Sequence, residues 1–114
     1  QGRVLDVAVD IRKNSPTFGK RVAVELSGEN KKQMLVPRGF AHGFVVLEDD
    51  TVFAYKVDNY YSPQNDRGIL FSDEALGIDW IVAHDELNLS AKDKTQPKLC
   101  DADDLFEYGV NYYE

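Results

Sequence analysis

Sulfur and imidazole are scarce in this chain, which holds one cysteine, Cys100, and two histidines, His42 and His84. A single thiol closes no internal disulfide, and that usage suits a reducing compartment. The two histidines form no His-x-His pair. Catalytic metal centres draw on about three converging protein ligands, so no metal is expected. Positive charge is also in deficit, with 13 Lys and Arg against 20 Asp and Glu and a net charge of −7. That balance argues against a nucleic-acid partner or an anionic-membrane surface, both of which need a broad excess of cations. A small anionic ligand needs only a few local cations and is compatible with it. No apolar run approaches the ~18 residues of a membrane span, and no signal peptide is expected. No stretch offers three turns of clear helical period.

What is present is β pattern. Val4–Ile11 alternates β-branched residues with Asp6 and Asp10, the period of a strand. Arg21–Ser27 alternates in the same way, and Gln33–Val36, Gly43–Leu47, Thr51–Val57 and Gly68–Phe71 read as further short strands. Between them lie turn clusters such as "NSPTFGK", "GEN", "EDD" and "SPQND". With 43% hydrophobic residues, six Tyr and six Phe in 114 residues, the chain can bury one modest core. Strands at such regular spacing predict an all-β fold, an antiparallel sandwich or barrel. Ser72–Leu76 and Ala91–Thr95 each suit one or two helical turns, with Ser72 and Ser90 as N-caps. The tail, Asp101–Glu114, is acidic and then aromatic, and is expected to add a strand or lie on the outside. The chain opens "QGRVLDVAVDI", without methionine and already in strand pattern, so residues 1–114 are expected to form a single domain lacking its amino-terminal part.

Three places could carry chemistry. "PRGFAH" (Pro37–His42) fits Pro-x-Gly-x-x-His, a phrase typical of cupin β-barrels, in which the histidine points into the barrel mouth. A structural hydrogen bond is the commoner role for such a histidine. Tyr55, on the strand predicted after His42, can face the same cavity and serve as a general acid, although its hydroxyl normally gives up a proton only near pH ~10. A core tyrosine is the plainer alternative. Asp93, beside Lys92 in "LSAKDK", could orient a histidine from elsewhere or simply be solvated.

The segments "DVAVDIRKNSPTFGK", "VELSGENKKQMLVPRGFAHGFVVLED", "YKVDNYYSP", "GILFSDEALGIDW" and "LSAKDK" occur in an order and spacing that resembles the dTDP-4-dehydrorhamnose 3,5-epimerase family, from about Gly2 to Pro97. The resemblance implies a cupin-like jelly roll and a homodimer of the cytoplasm that works on a dTDP-sugar without a cofactor. In that family a histidine base oriented by an aspartate removes a proton next to a 4-keto group. A lysine stabilises the enolate and a tyrosine returns a proton to the opposite face. Carried over, Tyr55 matches the acid and Asp93 the aspartate that orients the base. His42 matches a histidine on the diphosphate, Tyr61 the aromatic that stacks on thymine, and Lys92 a cation near the nucleotide. Asp66 falls where the family usually has a glutamate contacting the nucleotide, and Asp6 lies near the expected base. The family's Arg-Gly-Leu-His segment and its enolate lysine are not among these 114 residues. A polypeptide of these residues alone is therefore expected to be inactive. A C3-only epimerase, a ketoisomerase on a related dTDP-sugar and a non-catalytic nucleotide-binding cupin are the alternatives.

Overall fold

The computed structural model describes residues 1–103 and 105–113. Its centre is β1 (Arg3–Asp10), buried from Val4 to Asp10. Both of its edges are paired within the sheet. β3 (Arg21–Ser27) and β4 (Phe40–Val46) flank it, both antiparallel, in the order β3-β1-β4. The register runs from Arg3 opposite Ser27 to Val9 opposite Arg21, and from Val4 opposite Val46 to Asp10 opposite Phe40.

Because side chains alternate along a strand, this register sorts the sheet into two faces. One carries Leu5, Val7, Val9 and Val45, which pack with Leu76, Trp80 and Leu99 into the hydrophobic core. Gly43 lies opposite Val7 on this face, and a Cβ there would stand 3.5 Å from Trp80 Cη2. The indole N–H donates to the Phe71 carbonyl at 3.0 Å, so the ring is buried with its polar edge satisfied. The other face carries Asp6, Ala8, His42 and Phe44.

The far end of β1 is closed by a buried carboxylate. Asp10 accepts from Arg12 Nε and Nη2, both at 2.9 Å, from Ser15 Oγ at 2.6 Å and from Thr17 Oγ1 at 2.5 Å. The forked guanidinium holds this carboxyl far below the usual carboxylate range, against the opposing effect of burial. Arg12 is itself held between two rings, its Cζ lying 5.0 Å from the Phe40 centroid and 5.1 Å from that of Tyr108. Gly39, at φ +95°, brings the backbone against this side chain; a Cβ there would lie 2.8 Å from Arg12 Cγ. The tail does add a strand, β5 (Phe106–Glu107), which pairs in parallel with β2 (Arg12–Lys13).

The expected strands at Gln33–Val36, Thr51–Val57 and Gly68–Phe71 do not form ladders among the described residues, and Phe71 falls in a turn. Alternation reports which way side chains point, and pairing needs a neighbour at the right height. The first helical segment shrinks to a single 3-10 turn, Glu74–Leu76. Its cap is Asp73 rather than Ser72. The Asp73 carboxylate accepts from Ala75 N at 3.1 Å and also from Leu99 N at 2.8 Å, so one buried side chain caps the turn and ties down a distant segment. The second becomes α1 (Ala91–Lys94), with Ser90 Oγ accepting from Asp93 N at 3.2 Å, as the sequence suggested.

Candidate functional site

The site is built on the sheet face opposite the core. Asp6, on the buried central strand, has a side chain only 4% exposed, and its Oδ1 is hydrogen-bonded to Nε2 of His42. The register pairs Asp6 with Phe44 and Ala8 with His42, so the two groups are diagonal neighbours across β1 and β4. A buried carboxylate fixes the imidazole plane and takes up one ring nitrogen, leaving Nδ1 for a ligand. Asp6 joins the candidate site through this contact with His42. Its signal was an acidic side chain inside an otherwise apolar strand, which requires a polar partner.

Phe53 extends this face outward. Its ring stacks on Phe44 at 4.0 Å, lies 6.4 Å from the His42 ring and 5.9 Å from the Tyr55 ring. An aromatic row thus runs from the His42–Asp6 pair to Tyr55. Tyr55 is 73% exposed, and its hydroxyl bonds no described residue.

Tyr55 also forms one wall of an open cavity of about 450 Å³ whose other walls include Val57, Tyr60, Tyr61, Asn65 and Asp66. The loop behind these residues is shaped by a 3-10 turn at Pro63–Asn65 and by Asn65 Nδ2 donating to Ser62 Oγ at 2.8 Å. Lys92, presented by α1, meets the loop from outside, with Nζ 2.5 Å from Asp66 Oδ2. The Tyr61 hydroxyl donates to the same oxygen at 3.4 Å. The ammonium group draws the Asp66 carboxyl below its ordinary value, and the carboxylate in turn raises Lys92 above the ordinary lysine value.

Of the six residues singled out from sequence, the structure gathers Tyr61, Asp66 and Lys92 into one cluster and sets Tyr55 on the same cavity. His42 stands apart on the sheet, linked to Tyr55 through Phe53. Asp93 follows Lys92 on α1 and is exposed, with no histidine against it among the described residues. No group of three or more His, Cys, Asp or Glu among the described residues is arranged to hold a metal ion.

Comparison with known proteins extends this picture. A family model described as dTDP-4-dehydrorhamnose 3,5-epimerase matches residues 1–101. A dTDP-4-dehydrorhamnose 3,5-epimerase of Shigella flexneri is 56% identical over 102 residues, which cover 90% of this chain and 55% of the relative. The crystal structure of dTDP-6-deoxy-D-glucose-3,5-epimerase from Legionella pneumophila Philadelphia 1, in complex with dTDP-4-keto-L-rhamnose, is similar at a TM-score of 0.86 and 45% identity, over 96% of this chain and 58% of that one. The dTDP-4-dehydrorhamnose 3,5-epimerase of Elizabethkingia anophelis NUHP1 gives 0.85 and 52%, over 89% and 55%. The fold is cupin-like. The chain spans a little over half the length of the curated relatives it matches, 55% and 53% for the first two.

Proposed function

The chain belongs to the dTDP-4-dehydrorhamnose 3,5-epimerase family, and on that premise we propose that it supplies the acid and the nucleotide-binding face of a cofactor-independent epimerase. The substrate is dTDP-4-dehydro-6-deoxy-D-glucose and the product dTDP-4-dehydro-L-rhamnose. The 4-keto group acidifies the protons on C3 and C5. A base removes one of them, the electron pair moves onto the ketone oxygen as an enolate, and the Tyr55 hydroxyl delivers a proton to the opposite face of the carbon. As the carbon is protonated the ketone re-forms; the base gives its proton up to solvent, solvent reprotonates the phenolate, and the sequence repeats at the second carbon.

The observation that carries this reading is the shared cavity. Tyr55 and Tyr61 line it together, with Asp66 beside them and Lys92 closing on Asp66. Tyr61, 73% exposed, offers its ring for stacking on thymine. Lys92 offers a cation and Asp66 an acceptor to the nucleotide. His42, steadied by Asp6 at Nε2, serves the diphosphate through Nδ1, which donates to a phosphate oxygen. Asp93 serves by orienting the base, whose segment is not among these 114 residues.

The decisive experiment joins these residues to the amino-terminal half of the Shigella flexneri relative. Solvent deuterium entering C3 and C5 of the substrate is expected, with the rhamno product formed. Incorporation at C3 alone would turn the assignment toward a single epimerisation, and none at all would overturn the epimerase reading. The 114-residue chain by itself is expected to exchange neither position. We further propose a cytoplasmic homodimer. β3 and β4 leave their outer edges unpaired among the described residues, and open edges invite pairing with another chain. Sedimentation equilibrium at a single-chain mass would count against it.

A further inference from the structure

Arg38 stands at the centre of a cluster that the reaction does not use. It lies just ahead of β4, within "PRGFAH". Its Nε donates to Asp58 Oδ2 at 2.9 Å, and its Nη1 to the backbone carbonyl of Tyr112. Its backbone N–H donates to the Tyr113 hydroxyl at 2.8 Å, and its guanidinium carbon lies 4.9 Å from the Tyr113 ring centroid. Segments far apart in the chain therefore meet on one side chain. Asp58 opens the loop that lines the nucleotide cavity. Tyr112 and Tyr113 belong to the tail, beyond the residues that the family model matches.

The tail is itself anchored. β5 pairs with β2, the Tyr108 ring lies on Arg12, and the Tyr112 hydroxyl accepts from Glu107 N at 2.8 Å. The Tyr112 ring also meets Phe106 edge-on at 5.0 Å. Tyr112 and Tyr113 thus approach Arg38 from a fixed base. At the opposite end of the loop, Asp66 closes on Lys92. The segment Asp58–Asp66 is consequently held at each end by a carboxylate on a cation from another element, with Tyr61 between.

We propose that Arg38 is a positioning residue for the nucleotide cavity, and that the tail through Tyr113 is the strap that immobilises it. The inference rests on the cavity reading above. An isolated ion pair with a carboxylate as exposed as Asp58, at 61%, contributes little because two mobile side chains must be ordered to make it. Here the Arg38 guanidinium is already held by the Tyr112 carbonyl and the Tyr113 ring, so Asp58 meets a donor fixed in direction. The loop end is thereby held without a strand ladder.

Hydrogen exchange and amide shifts of the nucleotide-free 114-residue chain, followed by dTDP titration, test this. Arg38→Ala, and separately deletion of the residues after Val110, are expected to raise exchange at Asn59–Tyr61 by at least about threefold. The same changes should weaken dTDP binding by about three- to tenfold. Arg38→Lys, which keeps the charge for Asp58 and loses the fork, should recover part of both effects, while the thermal midpoint moves by only a few degrees. Unchanged exchange at Asn59–Tyr61 with a loosened tail would overturn the proposal. Tyr61→Ala separates it from the cavity reading. If Tyr61→Ala leaves dTDP binding unaltered, the cavity assignment fails, and the exchange data still decide the role of Arg38.

Discussion

The Asp6 carboxylate, buried on the central strand, holds His42 of the neighbouring strand through Nε2. That relationship makes His42 a directed group rather than a lone polar residue on a sheet. Asp6→Asn preserves volume and removes the charged acceptor. The ¹⁵N shifts of His42 are expected to report a changed tautomer and a less fixed ring, and dTDP affinity is expected to fall. Identical ring-nitrogen shifts in the variant would show that Asp6 does not direct His42.

The Asp66–Lys92 pair makes a prediction about pH. The Asp66 carboxyl is drawn below its unfolded value of 3.8, so its contribution is present above that pH and is lost as pH falls through the lower folded value. Lys92 is raised above 10.5, so its contribution is present below that pH and is lost as pH rises through the higher folded value. Between those limits the pair stays charged. Carbon-detected titration of Asp66 should give a midpoint below 3.8, returning toward 3.8 in Lys92→Met. Both groups are exposed to solvent, so added salt should reduce the difference.

Asp10 governs stability rather than chemistry. Arg12→Ala would strand its buried carboxylate, an effect expected to cost about 3–5 kcal/mol in urea denaturation. For a domain of this size that is a large share of the total, which lies at about 5–15 kcal/mol. The Asp10 carboxyl is depressed in the folded state, so its contribution is present above the ordinary carboxylate range and disappears as pH falls through the folded value. Asp10→Asn should therefore flatten the acid limb of the stability curve. An equally steep limb would move the acid sensitivity to other carboxylates.

Tyr55→Phe in the joined protein removes the proposed proton donor while keeping the ring beside Phe53. Turnover is expected to fall by about 10²–10⁴-fold, the usual scale for losing a positioned acid. The dTDP affinity should stay the same. A parallel loss of affinity would mean that Tyr55 holds the nucleotide instead.

Much of the framework was legible in the residues. The period of two in Val4–Ile11 anticipated β1, Ser90 announced the cap of α1, and "PRGFAH" located His42 at a strand start. Thr51–Val57 carries equally strong strand pattern and has no ladder partner among the described residues. Its anchor is Phe53 stacked on Phe44, a contact that no local rule encodes. Ser72 was the expected cap, yet Asp73 took the place because its second oxygen could also reach Leu99 N. A local propensity was overruled by a contact with a distant part of the chain.

Side-chain chemistry and periodicity are local properties, so the residues alone determined the β character and the order of the functional types along the chain. Which groups meet depends on strand register and on where loops return. Only the tertiary structure decided that Asp6 sits diagonal to His42 across two strands. It likewise brought Lys92 onto Asp66 from α1 and closed the tail tyrosines over Arg38. Each of these pairs joins residues far apart in sequence, and the core holding them together forms only when β1 is buried between its neighbours.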